Sequence, residues 1–226
     1  MNVVILAAGL GTRLGRPHPK PLTKLADGRT ILRQQIDHLH RAFGADLHLT
    51  VVVGFKLEMI LEAAGGEASF VYNEIFDQTN TSKSLLRALR LVPPGGVLWL
   101  NGDVVFVPGL IQALTFDGSF VAVNTARVGE EEVKYTVDGD GYVKELSKHV
   151  DDGLGEAVGI NYVSSVDRPR LVHYLEQCED SDYFERGIEL AIGEEGLRFS
   201  ALDITPFGCV EVDFLPDLER ANLLTM

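Results

Sequence analysis

Five consecutive apolar residues, Val3-Val4-Ile5-Leu6-Ala7, stand near the start of the chain with no polar position among them. A strand with one wet face alternates apolar and polar side chains, so an unbroken apolar run predicts a strand covered on both faces, as in a parallel sheet flanked by helices. The next segments keep to that plan. Thr30 is placed as an N-cap before Leu32, Ile36, Leu39 and Phe43, which recur at helical intervals, and Gly44 stops the helix. Leu47 to Val53 reads as a second strand, Lys56 to Ala64 as a short helix and Ser69 to Tyr72 as a third strand. Ser82 to Leu91 reads as a helix capped by Thr81 or Ser82 and ended by Pro93-Pro94-Gly95-Gly96, and Val97 to Leu100 as another buried strand leading into Asn101-Gly102-Asp103. Strand and helix alternate, which predicts an α/β fold with a doubly wound, mainly parallel sheet.

After about Ser119 the rhythm changes. Val133 to Val137 and Tyr142 to Leu146 flank Asp138-Gly139-Asp140-Gly141, a hairpin signal, and this smaller portion is expected to be antiparallel. Ala157 to Ser164 is strand-like, Asp167 to Gln177 and Asp182 to Ile192 helical, Leu197 to Ile204 and Cys209 to Val212 strands, and Leu215 to Leu224 a last helix. With no repeat, linker or low-complexity stretch, residues 1–226 are expected to form a single domain, divided near residue 118 into two halves.

The loop after the first strand, "LAAGLGTRLG", places Gly9, Gly11 and Gly15 within seven residues. A dinucleotide fingerprint requires a third glycine where Leu14 stands, and an acidic residue at the end of the second strand, which here reads Val53-Gly54-Phe55. Pro17, Pro19 and Pro21 also forbid the helix that such a fingerprint opens. The loop is instead suited to wrapping a polyphosphate with backbone N–H groups freed by Gly9 and Gly11, and with the charges of Arg13 and Lys20. Charge is concentrated there: residues 9–29 carry a net +4 in a chain of net charge −13, leaving −17 elsewhere. That acidic balance argues against nucleic acid as a partner. Two cysteines, Cys178 and Cys209, supply neither a disulfide framework nor a zinc set. No apolar run approaches the ~20 residues of a membrane span and no basic segment precedes Val3, so a cytoplasmic protein without membrane contact is expected.

"LAAGLGTRLGRPHPKPL" resembles the signature loop of the nucleotidyltransferases that join a nucleoside triphosphate to a phosphorylated sugar or alcohol with release of pyrophosphate. The resemblance extends from residue 2 to 221 and implies a Rossmann-like sheet of the nucleotide-diphospho-sugar transferase type. The first half, 1–118, would bind mainly nucleotide and the second, 119–226, mainly acceptor. It implies that Leu6, Ala7, Ala8, Gly9, Gly11, Thr12 and Gly102 contact the nucleotide, with Arg13 and Lys20 as both triphosphate ligands and catalytic groups. It also implies Mg²⁺ as cofactor, bound by Asp103 of the Gly102-Asp103 pair and by Asp213 of "VDFLPDL", with Asp217 as a helix cap. Taken singly, either aspartate is more often a helix cap or turn residue.

"YNEIFDQTNTSKSLLRAL", Tyr72 to Leu89, is similar to a segment of bacterial phosphocholine and inositol-1-phosphate cytidylyltransferases, and places Asn80 and Ser84 near base and ribose. Thr81 departs from that pattern, where a second Asn is usual. "KELSKH" and "GEAVGINY" resemble the acceptor region and imply substrate roles for Lys148 and Glu156. A phosphate monoester is already largely ionised at neutral pH, its second pKa being about 6, so no general base is required, and no Ser-His-Asp or Cys-His set is seen.

The partners implied are a nucleoside triphosphate, CTP on this resemblance, and a small phosphorylated alcohol, polyol or phosphonate. Tyr135, Tyr162, Tyr183 and Phe184 are candidates for caging a choline-type cation. Two alternatives remain open: a sugar-1-phosphate nucleotidyltransferase using UTP, GTP, dTTP or ATP, and a nucleotide-binding regulatory subunit. The acceptor and the oligomeric state are not fixed by sequence.

Overall fold

The computed structural model describes residues 1–11, 15, 17–126, 129 and 132–225. In chain order the elements are β1 (Asn2–Ala7), α1 (Ile31–Phe43), β2 (His48–Val53), α2 (Leu57–Ala64), β3 (Ser69–Tyr72), α3 (Thr81–Leu91), β4 (Val97–Asn101), β5 (Val104–Phe106), α4 (Leu110–Ala113) and β6 (Phe120–Asn124). Then follow β7 (Lys134–Val137), β8 (Val143–Ser147), β9 (Glu156–Val163), α5 (Arg168–Gln177), α6 (Phe184–Glu195), β10 (Ser200–Asp203), β11 (Cys209–Glu211) and α7 (Leu215–Leu223). After the glycine loop, among the described residues, the prolines permit one 3-10 turn, Lys20–Leu22, and nothing longer before α1.

The main sheet runs β10-β6-β9-β4-β1-β2-β3, with the β7–β8 hairpin attached to β9. β1 pairs in parallel with β2 and β4, and β2 with β3. All six residues of β1 are buried, as its composition requires. Val4 and Leu6 face the layer formed with α3, α5 and α6, whereas Val3, Ile5 and Ala7 face the layer formed with α1, α2 and α4. The sheet is thus covered on both faces and doubly wound. Thr30 caps α1 by accepting a hydrogen bond from the Arg33 N–H at 3.1 Å, and Gly44 ends it at φ 54°.

The second half is less uniformly antiparallel than its sequence predicts. β9 is antiparallel to both β4 and β6, and β7 to β8, but β10 pairs with β6 in parallel. β6 and β10 therefore run in the direction of β4 and β1, and β9 is the reversed strand between them. Hydrophobic pattern marks a strand as buried without encoding its direction.

Candidate active site

The carboxyl ends of β1 and β4 open onto a cleft of about 400 Å³, the place where open α/β sheets accept ligands. Leu6 and Ala7 end β1 at its floor, and Gly9 and Gly11 border it from the loop. Gly11 has φ +61°, and a Cβ there would lie 3.0 Å from the Lys20 Cβ, so a side chain at this position would press on the lysine. Ala8 is buried behind the loop and does not line the cleft. Thr12 and Arg13 lie outside the described residues.

Lys20 enters from the 3-10 turn. Its Nζ donates to Asp103 Oδ2 and to Asp213 Oδ1, each at 2.5 Å, and all three side chains are less than one-fifth exposed. Burial opposes the charge on Lys20, but the ion pairs and hydrogen bonds to Asp103 and Asp213 outweigh it and raise its pKa above 10.5. The charge of the loop is therefore not one outward patch. Lys20 is turned inward onto carboxylates, and Arg29 pairs with Asp27 and Asp37 at the start of α1.

Two backbone devices bring the aspartates together. The turn Gly102-Asp103 is tied to β1 by the Gly102 N–H donating to the Leu6 carbonyl at 2.9 Å, and a Cβ at Gly102 would meet that oxygen at 2.7 Å. Gln35, fully buried in α1, donates its Nε2 to the carbonyls of Asn101 (2.9 Å) and Val104 (2.8 Å), one on each side of the turn. On the other wall, β11 pairs antiparallel with β5, and the Val212 N–H donates to the Asp103 carbonyl at 3.0 Å. Asp217 then accepts from the N–H groups of Asp213 (3.1 Å) and Phe214 (2.7 Å), capping α7 and fixing the Asp213 turn.

The segment before α3 is largely self-engaged. Asn80, rather than Thr81 or Ser82, is the N-cap: its Oδ1 accepts from the Thr81 N–H at 2.9 Å, while its Nδ2 donates to the Ser181 carbonyl at 3.1 Å. Asn80 borders the cleft; Ser84 does not. The Ser84 hydroxyl accepts from buried Asn73, whose Nδ2 also reaches Thr79 and whose Oδ1 accepts from Arg87. Asn73, Thr79 and Ser84 thus form a partly buried hydrogen-bond network before and within α3.

Lys148, just after β8, lines the far end of the cleft with its Nζ 5.1 Å from the centre of the Tyr183 ring. Glu156 lies at the start of β9 outside the lining and accepts from the Gly129 N–H at 3.1 Å. Of the four aromatic candidates, Tyr135 and Tyr162 are core residues away from the cleft, Phe184 is buried but lines it, and Tyr183 lines it exposed.

Three glutamates that sequence reading did not single out, Glu132, Glu185 and Glu211, also line the cleft. Burial, reinforced by Asp103 and Glu132, holds Glu211 well above the usual carboxylate range against the pull of Lys20. Burial raises Glu132 too, and pushes Glu185 up to about 7. Among the described residues five carboxyl groups and two lysines thus line this cleft, three of the five pushed toward their protonated form. No group of three or more His, Cys, Asp or Glu side chains poised to hold a metal occurs among them, nor does any helix long and apolar enough to cross a membrane.

A model of the MobA-like NTP transferase domain matches residues 3–177. CMP-5'-(3-aminopropyl)phosphonate synthase of Streptomyces rubellomurinus is 30 % identical over 247 aligned residues, covering 98 % of this chain and 38 % of that protein, so the chain spans less than two-fifths of this relative. Among solved structures, the inositol-1-phosphate CTP transferase from T. maritima superposes with a TM-score of 0.79 at 17 % identity, covering 99 % of this chain and 96 % of that one. The CTP:phosphocholine cytidylyltransferase from Streptococcus pneumoniae does so with a TM-score of 0.79 at 19 % identity, covering 100 % and 99 %. The chain belongs to the MobA-like NTP transferase domain family, and its fold is that of the nucleotidyltransferases.

Proposed function

We propose that this member of the NTP transferase family is a Mg²⁺-dependent cytidylyltransferase that joins CTP to a small phosphorylated alcohol, polyol or phosphonate and releases pyrophosphate. The observation that carries the reading is the Lys20 ammonium held between Asp103 and Asp213 beneath the glycine loop. A module that only bound nucleotide would have no use for two converging carboxylates in a cleft that must receive a polyanion. CTP is supported by the Tyr72–Leu89 segment and by the CMP product in the name of the Streptomyces relative.

The donors present fit a divalent cation of the Mg²⁺ type. Asp103 Oδ2 and Asp213 Oδ1 converge on one point, now taken by the Lys20 nitrogen, and the other Asp103 oxygen, Oδ1, is buried with no hydrogen-bond partner among the described residues. Hard oxygen ligands from one or two carboxylates, completed by water and phosphate oxygens, are what Mg²⁺ takes in phosphoryl-transfer sites. Bound there, the ion would supply Lewis-acid polarisation of phosphate oxygens.

In the reaction an acceptor oxyanion attacks the α-phosphorus, the new P–O bond forms, and the bond to the β-phosphate oxygen breaks to release pyrophosphate. Since the attacking group is already ionised, the chain supplies position and charge rather than a base. Lys20, with Arg13, meets the triphosphate, and the N–H groups around Gly9 and Gly11 cradle it. Lys148 meets the acceptor phosphate. Residues 1–118 thus hold mainly nucleotide and 119–226 mainly acceptor. The test is pyrophosphate release from a panel of triphosphates against phosphorylated acceptors. Release with CTP and an alkyl phosphate or phosphonate is expected. Release with UTP, GTP, dTTP or ATP and a sugar 1-phosphate alone would replace this reading, and nucleotide binding without release from any pair would refute catalysis.

A further inference from the structure

Glu185, at the start of α6, is a buried carboxyl group whose own backbone N–H and the nearby charge of Lys148 only partly offset its burial. It is 9 % exposed, it lines the cleft, and its Oε2 accepts no hydrogen bond among the described residues. Folded proteins leave few such atoms unpaired, because a buried carboxylate oxygen without a donor costs free energy whether it stays charged or takes up a proton. The neighbouring groups are otherwise engaged. Glu189 accepts from the Leu146 N–H at 3.1 Å and pairs with Arg186 at 3.5 Å. Lys148, the cation on this wall, sits over the Tyr183 ring and forms no ion pair with Glu185 among the described residues. Glu132, half-buried, adds a further carboxylate to the same cleft.

From this arrangement we infer that the acceptor end of the cleft is built for a primary alkylammonium group, with Glu185 as the carboxylate that receives it. This rests on the transferase reading and specifies its acceptor: a phosphonate or phosphate ester carrying a terminal –NH₃⁺. The chemistry of the wall separates that group from a quaternary ammonium. A quaternary ammonium has no N–H to donate and is recognised by open aromatic faces. Here Tyr135 and Tyr162 are buried away from the cleft, Phe184 lines it with only 1 % of its surface exposed, and the exposed ring, Tyr183, has Lys148 over it. A primary ammonium brings three N–H donors, which suits a wall of unpaired carboxylate oxygen. Lys148 stays with the phosphorus end of the acceptor, and the amine lies toward α6. Occupation by the amine supplies the partner that Glu185 lacks, which is how such an orphan is retained at a functional site.

The test is calorimetric binding to the full chain of four probes: 3-aminopropylphosphonate, phosphoethanolamine, n-butylphosphonate with a methyl in place of the ammonium, and 3-(trimethylammonio)propylphosphonate. The wild type is expected to bind both primary amines at least about tenfold tighter than the butyl and trimethyl probes, since a site made for N–H donors rejects analogues without them. In Glu185→Gln that ratio should fall to near unity. Equal binding of amine and butyl forms by the wild type, tighter binding of the trimethyl form, or a preference that survives in Glu185→Gln overturns the inference. The wild-type comparison stands whether or not the variant folds. The two amines separate the possible sources, phosphonate or phosphate ester, by their relative affinity. Pyrophosphate release from CTP tests the transferase reading separately. Release with butylphosphonate but no amine preference removes only the ammonium site, whereas amine-selective binding without release from any triphosphate removes the transferase reading and leaves the site in place.

Discussion

Replacing Lys20 with Met keeps an unbranched side chain one atom shorter and removes the charge that two aspartates share. Each carboxylate oxygen lies 2.5 Å from Nζ, so the two are at most 5.0 Å apart once the ammonium is gone. At an effective dielectric constant of about 20 their repulsion is roughly 3 kcal/mol. That agrees with the about 3–5 kcal/mol generally lost when one member of a buried ion pair is deleted. Unfolding entropy of about 2.1 cal/mol/K per residue makes each kcal/mol worth about 2 °C in a domain of this size, so the melting temperature should fall by about 6–10 °C. The assay is calorimetric melting at pH 8 in EDTA and again with Mg²⁺. A cation bound at a hundred times its Kd adds about 2.7 kcal/mol, so Mg²⁺ should restore most of the loss in the variant. It should stabilise the wild type less, because there it must displace Lys20. kcat/KM should still drop by about 10²–10³, as for other lost charge-stabilising donors. A variant that melts within 2 °C of the wild type in EDTA would show that the aspartates carry no mutual strain. Equal Mg²⁺ shifts in the two proteins would show that lysine and cation do not share a place.

Asp103→Asn and Asp213→Asn should each reduce turnover by at least about 10² at saturating Mg²⁺, measured by pyrophosphate release, with a folded circular dichroism spectrum; near wild-type rates would refute the metal assignment. Gln35→Leu should lose about 2–3 kcal/mol in urea unfolding, because a buried and a part-buried carbonyl beside the Asp103 turn lose this donor. If Gln35 positions that turn, kcat should also fall while KM for CTP changes little. For Glu185 the sign follows from a folded pKa raised from 4.5 to about 7. Its contribution to stability is fully present below about pH 4.5 and is lost as pH rises through 7, so Glu185→Gln should gain on the wild type over that window by on the order of 3 kcal/mol. Urea unfolding at pH 4.5 and 8 reads the difference, and a gap that does not widen with pH would place the residue in contact with water. His38 acts in the opposite direction: burial lowers it to about 4, so the stability it contributes is present above pH 6.5 and lost toward pH 4 in both proteins.

Local signals survived folding where the chemistry is local. Thr30 caps α1 and Gly44 ends it as their residue types dictate. Asp138 turns the β7–β8 hairpin by accepting from the N–H groups of Asp140 and Tyr142, with Gly141 at φ +86°. The carboxyl-edge positions of Gly9, Lys20 and Asp103 were legible because each follows a buried strand at short range. Glu211 and Glu185 were not, since nothing near them in sequence states that β11 will pair with β5, or that α6 will begin at the cleft wall. The cap of α3 was misplaced by one or two residues because Asn80, Thr81 and Ser82 all suit the role. The choice went to Asn80, the residue whose amide could also reach Ser181, and that partner is more than a hundred positions away in the chain.

The pairing of Lys20 also bears on how the two cationic contributions to the reaction are linked. With Asp103 and Asp213 both engaged, the ammonium is already neutralised and offers a triphosphate little net attraction. A nucleotide entering without a divalent cation would have to draw Lys20 away from both carboxylates. On the transferase reading, Asp103 and Asp213 would hold the cation when it accompanies the nucleotide, and Lys20 would turn to the phosphates. On the proposed function, cation and triphosphate therefore bind with positive coupling, each raising the affinity for the other by the same factor. The same exchange of partners would bring Lys20 onto the phosphate chain only with the cation in place, so on this proposal a single side chain would tie nucleotide capture to the ion.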